Sequence, residues 1–167
     1  MKKLFGALFL TGGLAASSHG MAADGASIAE RIAGSWSLVS LEVHQGDNRI
    51  AVFGSNPRGL QVMTPEGRFA VITTRSELPL YASNNRMQGT DDEYRAIGQG
   101  ANATYGRYTI DEAGGTITFH VEVSTFPNWE GQDQVRAFTL EGDEWRYLNP
   151  SPTVGDGNVH VVWRRLD

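Results

Sequence analysis

The chain has 167 residues with 19 acidic against 14 basic side chains, a formal charge of −5, and no cysteine. That balance repels nucleic acid and anionic membrane surfaces, and the absent thiols exclude cysteine nucleophiles and disulfides. Packing alone must hold the fold together, which one domain of this size does by burying roughly 68–70% of its unfolded surface.

The first residues read as an export signal over 1–22. Lys2 and Lys3 form the positive start, Leu4 to Leu14 the apolar stretch, and Gly20-Met21-Ala22 a small-x-small cleavage site. The apolar run falls short of the roughly 20 residues a span needs, so no stable membrane insertion is expected. No cysteine follows it to take a lipid, and the mature protein is expected in the periplasm or outside the cell. Lys2 and Lys3 are the chain's only lysines, so their removal takes the formal charge to −7 and leaves no Schiff-base lysine.

After this leader comes an N-terminal segment, 23–33. Within it "SIAERIA" predicts one or two helical turns, with Ser27 as N-cap and Glu30 in the capping-box position. A domain over 34–167 follows, written in short alternating, β-branched runs. Strands are predicted near 35–44, 59–64, 68–75, 104–110, 115–123, 134–140, 144–148 and 158–165. The short Gly-containing links "TPEG", "DEAGG" and "EGD" make neighbouring strands antiparallel. Between the third and fourth strands, "TDDEYRAIGQGA" predicts a helical insertion near 91–101, capped by Thr90 or Asp91 and weakened by Gly98 and Gly100. Eight antiparallel strands in meander order suit an all-β, eight-stranded up-and-down barrel; a two-sheet sandwich fits the same count.

Certain residues then resemble a known group. Gly34-Ser35-Trp36 on the first strand, with Arg164 or Arg165 after the last, resembles the core arrangement of lipocalin and calycin barrels. The resemblance implies that Trp36 closes one barrel end and that an arginine lies across it; alternation favours Arg165. Further stretches narrow this to the lipocalin-like domain proteins of bacteria and fungi. They are Asn56-Pro57-Arg58-Gly59, Thr64-Pro65-Glu66-Gly67-Arg68, Tyr105-Gly106-Arg107-Tyr108, His120-Val121-Glu122-Val123-Ser124 and Phe126-Pro127-Asn128-Trp129 with Gln134-Val135-Arg136. Phe119 stands where relatives often carry a second histidine. The resemblance implies a barrel that holds a small hydrophobic or amphipathic molecule.

The residues themselves keep several chemistries open. Read at a period of two, His120, Glu122 and Ser124 share one face, and Phe119, Val121 and Val123 the other. Successive same-face residues lie about 6.6 Å apart, so His120 and Glu122 could share a substrate or a water as an acid/base pair. On the outer face they would be ordinary solvated residues. His44, His120 and His160 have no close ligand spacing, so no metal is expected, and no strained serine elbow or phosphate loop is present; no cofactor is expected. Arg75, Arg107 and Arg136 lie in or beside strands, and a buried one needs a carboxylate or a ligand acid; pairing with Glu122 or an outward position is the plainer outcome. Trp129, at a predicted hairpin tip, either rims a mouth, meets a partner or staples the loop.

Three functions follow. The first is a binding cup for a small hydrophobic or amphipathic molecule, with Tyr105, Arg107, His120, Glu122, Trp129 and Arg136 as contact residues. The second is an isomerase- or cyclase-type enzyme with His120 and Glu122 in the lumen. The third is a filled barrel that makes protein contacts. The facing of the strand carrying His120 separates them.

Overall fold

The computed structural model describes residues 25–153 and 156–166. The export segment read over 1–22 lies outside these residues.

Ser27 and Glu30 form a capping box for α1 (Ile28–Ile32): the Glu30 N–H donates to Ser27 Oγ, and Glu30 accepts from the Ser27 N–H. The strands are β1 (Gly34–Gln45), β2 (Asn48–Ala51), β3 (Arg58–Met63), β4 (Arg68–Thr74), β5 (Ala101–Asp111), β6 (Thr116–Ser124), β7 (Asp133–Glu141), β8 (Glu144–Asn149) and β9 (Asn158–Arg165). Thr90 and Glu93 make a second capping box at the start of α2 (Asp91–Gly100), between β4 and β5.

Every pairing is antiparallel. The sheet runs β2-β1-β3-β4-β5-β6-β7-β8-β9, and β9 returns to pair with β1. Eight strands therefore close into a barrel, which settles the choice against an open sandwich. The short β2 pairs only with the far end of β1, beyond the Gly46-Asp47 turn, and extends the wall on one side.

One end of the barrel is sealed. Trp36, Trp145 and Trp163 are fully buried there with Ile32, Met63 and Ile117. Large aromatic rings bury on the order of 200 Å² each, so at about 25 cal/mol per Å² the three indoles supply about 15 kcal/mol of transfer free energy. The Trp36 Nε1–H donates to the Ile32 carbonyl at 2.9 Å, which fastens α1 beneath the plug. The Arg165 guanidinium lies 4.2 Å from the Trp36 ring centroid and donates to the Ala33 carbonyl at 3.0 Å and to the Arg31 carbonyl.

Two bulges adjust the walls. In β1 the register with β9 shifts between Leu38 and Ser40, leaving Val39 outward. In β6 the register with β5 passes from Tyr105↔Val123 to Gly106↔Val121, so Glu122 is an extra residue without a partner.

Candidate functional site

Inward-facing side chains above the indole plug do not fill the barrel. They leave a half-open cavity of about 690 Å³. Its floor and walls are Phe69, Phe119, Val121, Tyr147 and Val161, with Leu41 and Val43 from β1. Phe69 and Phe119 pack edge to face at 4.8 Å, and Phe119 lies 6.0 Å from Tyr147, giving an aromatic side to the space. At the mouth stand Ile50, Val52 and Phe53 from β2 and the following turn, Arg75, the α2 end at Gly98 and Gln99, and Phe126 with Trp129. The reading of a filled barrel is therefore corrected: the plug occupies one end and the rest is hollow.

The extra residue in β6 decides which polar groups reach this space. Phe119 and Val121 are buried and line the cavity. His120 lies on the outside, where its Nδ1 is 2.6 Å from Asp133 Oδ1 and its Nε2 is 3.0 Å from Thr109 Oγ1. Glu122 is also outside, 2.7 Å from Arg68 Nη2 and 3.5 Å from Arg107 Nε. Because the bulge advances the alternation by one residue, Val123 turns outward and Ser124 inward. Ser124 Oγ shares a 3.0 Å hydrogen bond with Thr104 Oγ1 in the wall. His120, Glu122 and Ser124 thus do not share a face.

The placement of an acid/base pair in the lumen is corrected by the same geometry: neither His120 nor Glu122 touches the cavity. Tyr105 projects outward beside Val123, and the Arg107 side chain is 71% exposed on the outer wall, where it meets Glu122. None of these four can contact a molecule inside the cup. Trp129 does line the cavity, at its mouth: the 3₁₀ turn Pro127–Trp129 folds back over the barrel end, and its indole packs edge to face on Phe126 at 5.5 Å.

Arg136 is the charged group of the interior. It points inward from β7, and the residue is only 7% exposed. Its Nη2 donates to Gln134 Oε1 at 2.7 Å and its Nη1 to the Val135 carbonyl at 3.0 Å. Burial lowers its pKa, an effect the nearby Tyr147 partly opposes. Burial likewise pushes the Tyr147 phenol up, offset in part by the Trp163 side chain and by Arg136. Tyr147 and Arg136 thus belong to one electrostatic neighbourhood, with the phenol kept neutral.

Several contributors were not marked by the sequence. Gln134 stood only within the family-like stretch Gln134-Val135-Arg136 and not as a site residue, although its place two residues before Arg136 on the same strand puts both on one face. Gln61 is an amide buried to 1% exposure, its Nε2–H donating to Met63 Sδ. The rim formed by β2 was also missed; Gly46-Asp47 after an alternating run was the available turn signal.

Comparison with known proteins agrees with this architecture. Over 101 residues the chain is 28% identical to the 4'-hydroxy-3'-methoxypropiophenone carrier protein ppsC of Aspergillus oryzae, a match covering 55% of this chain and 91% of that one. A family model described as lipocalin-like domain matches residues 33–165, the whole barrel from the start of β1 to the arginine that covers the plug. With that span and a closed eight-stranded barrel around a hollow lumen, the chain belongs to the lipocalin-like domain family.

Proposed function

We propose that this protein is a binding cup that carries a small, largely apolar molecule in the barrel lumen. The observation that carries the reading is the cavity itself: about 690 Å³, sealed below by three indoles, walled by aliphatic and aromatic side chains and open at one end. Volumes of this order and composition are typical of small-molecule sites. The carrier named in the relative from Aspergillus oryzae takes an aryl ketone. Phe69, Phe119, Tyr147 and Trp129 offer this chain comparable surfaces for an aromatic ring. The leader read over 1–22 supports export, so the proposal is of an exported carrier.

Titration with the neutral fluorescent dye 1-aminoanthracene tests the reading. Saturable binding is expected, with a blue-shifted emission, and Val121→Trp, which pushes an indole into the lumen, is expected to weaken it at least tenfold. Absence of saturable binding to the folded protein, or binding indifferent to Val121→Trp, would overturn it. A leaderless product recovered from the periplasm would support export; retention of the intact chain in the cytoplasm would count against it.

A further inference from the structure

The charge inside the cup is opposite to that of the whole chain. The protein carries a formal −5, yet among the described residues lining the cavity there are two arginines, Arg75 and Arg136, and no Asp, Glu, His or Lys. Neither arginine has an ion-pair partner among the described residues. The outer wall differs: Arg68 and Arg107 both reach Glu122, and Arg146 and Arg164 reach Glu144.

A guanidinium has five N–H donors, and Arg136 uses one from each terminal nitrogen, on an amide oxygen and a backbone carbonyl. Neither acceptor carries a charge. Burying a cation without a counter-charge is expensive, and such groups persist when something neutralises them. At the mouth, Arg75 has a buried Nε with no hydrogen-bond partner. The two cations mark an inner and an outer station along one cavity.

Building on the reading of the lumen as a binding cup, we propose that its ligand is an anion, an amphipathic molecule whose carboxylate or equivalent oxyanion supplies the missing counter-charge to Arg136. The anionic end goes inward, where the guanidinium fork matches two oxygens and Tyr147 stands close by as a neutral phenol. The apolar body lies against Phe69, Phe119 and Val121 and points to the mouth. Arg75 meets the anion as it enters.

Two sources supply this chemistry, an aryl acid and a straight-chain fatty acid. Displacement of 1-aminoanthracene distinguishes them when cinnamic acid is compared with cinnamamide and decanoic acid with decanamide, each pair matched in shape. A charge-assisted hydrogen bond exceeds a neutral one enough that the acid of at least one pair should compete about tenfold better than its amide. The preferred pair identifies the body of the ligand. Arg136→Gln should abolish the preference when acid and amide are each compared against that variant's own dye affinity, and Arg136→Lys, which keeps the charge without the fork, should retain part of it. Arg75→Gln should lower affinity for the acid by a smaller factor than Arg136→Gln.

If the dye binds but acid and amide compete equally, or if Arg136→Gln preserves the preference in a folded protein, the anion proposal is overturned while the binding cup stands. If the dye itself fails to bind to folded wild-type protein, both readings fall.

Discussion

A Cβ atom added at Gly106 would fall 2.1 Å from the carbonyl oxygen of His120. Gly106 lies at the bulge where Glu122 is left without a partner, and its missing side chain lets β5 and β6 approach there. The obstacle is backbone on the neighbouring strand, which cannot swing aside as a side chain can. Gly106→Ala is therefore expected to destabilise the barrel by about 2–3 kcal/mol, read as a lower denaturant midpoint at unchanged slope. A midpoint equal to wild type would show that the strands separate without cost.

The second prediction concerns the sealed end. Arg165 joins the last strand to α1 through two carbonyls and lies over Trp36. Removing it strands those acceptors and loses the cation–π contact, so Arg165→Ala should cost about 2–4 kcal/mol. Arg165→Lys should recover less than half, since one ammonium cannot reproduce a planar fork that both bonds and stacks. Thermal denaturation of both variants checks this, and full rescue by lysine would reduce the role of Arg165 to its charge.

The outer wall yields the third. His120 and Glu122 make contacts with Asp133, Thr109, Arg68 and Arg107 on the solvent side. Partly exposed ion pairs contribute roughly 0–1 kcal/mol. His120→Ala and Glu122→Gln should each change stability by no more than about that amount and leave dye affinity within twofold of wild type. A tenfold loss of affinity in either variant would mean that the wall transmits to the lumen.

A fourth prediction is a pH effect. His44 and His160 stack at 3.8 Å on the outside of β1 and β9, with Glu42 and Arg49 also facing them. Desolvation first, then the His44 and Arg49 charges, push the His160 pKa below its ordinary value of 6.5, and Glu42 only partly opposes them. The native state thus binds this proton less readily than the unfolded chain. Stability is expected to fall as pH drops from 6.5 through the lower native value, and to be insensitive to this residue above that window. His160→Gln should flatten the decline in denaturant midpoint between pH 7.5 and 5.5; an unchanged slope would assign the decline to other groups.

What could be read from the chain depended on how local the cause was. Both helix starts were legible because Ser27 with Glu30, and a cap at Thr90 or Asp91, satisfy backbone donors within one turn; the structure puts the second cap on Thr90, with Glu93 closing the box. The eight barrel strands were legible because one face of each packs inward and the residues alternate. The facing of β6 beyond Val121 was not, because the extra residue at Glu122 depends on the approach of Gly106 from another strand. All four residues of β2 are exposed, so this strand had no buried face to leave an alternating signature. Arg136 could be singled out as a residue needing a partner; the lack of a carboxylate around it is a fact of three dimensions.

The indole plug also governs traffic. A barrel stoppered by Trp36, Trp145 and Trp163 is a cul-de-sac, so whatever enters past Trp129, Arg75 and the β2 flap must back out by the same door. For the carrier proposed above, residence time would then be set by how that rim yields, and delivery would require the recipient to face the rim rather than the barrel's far pole.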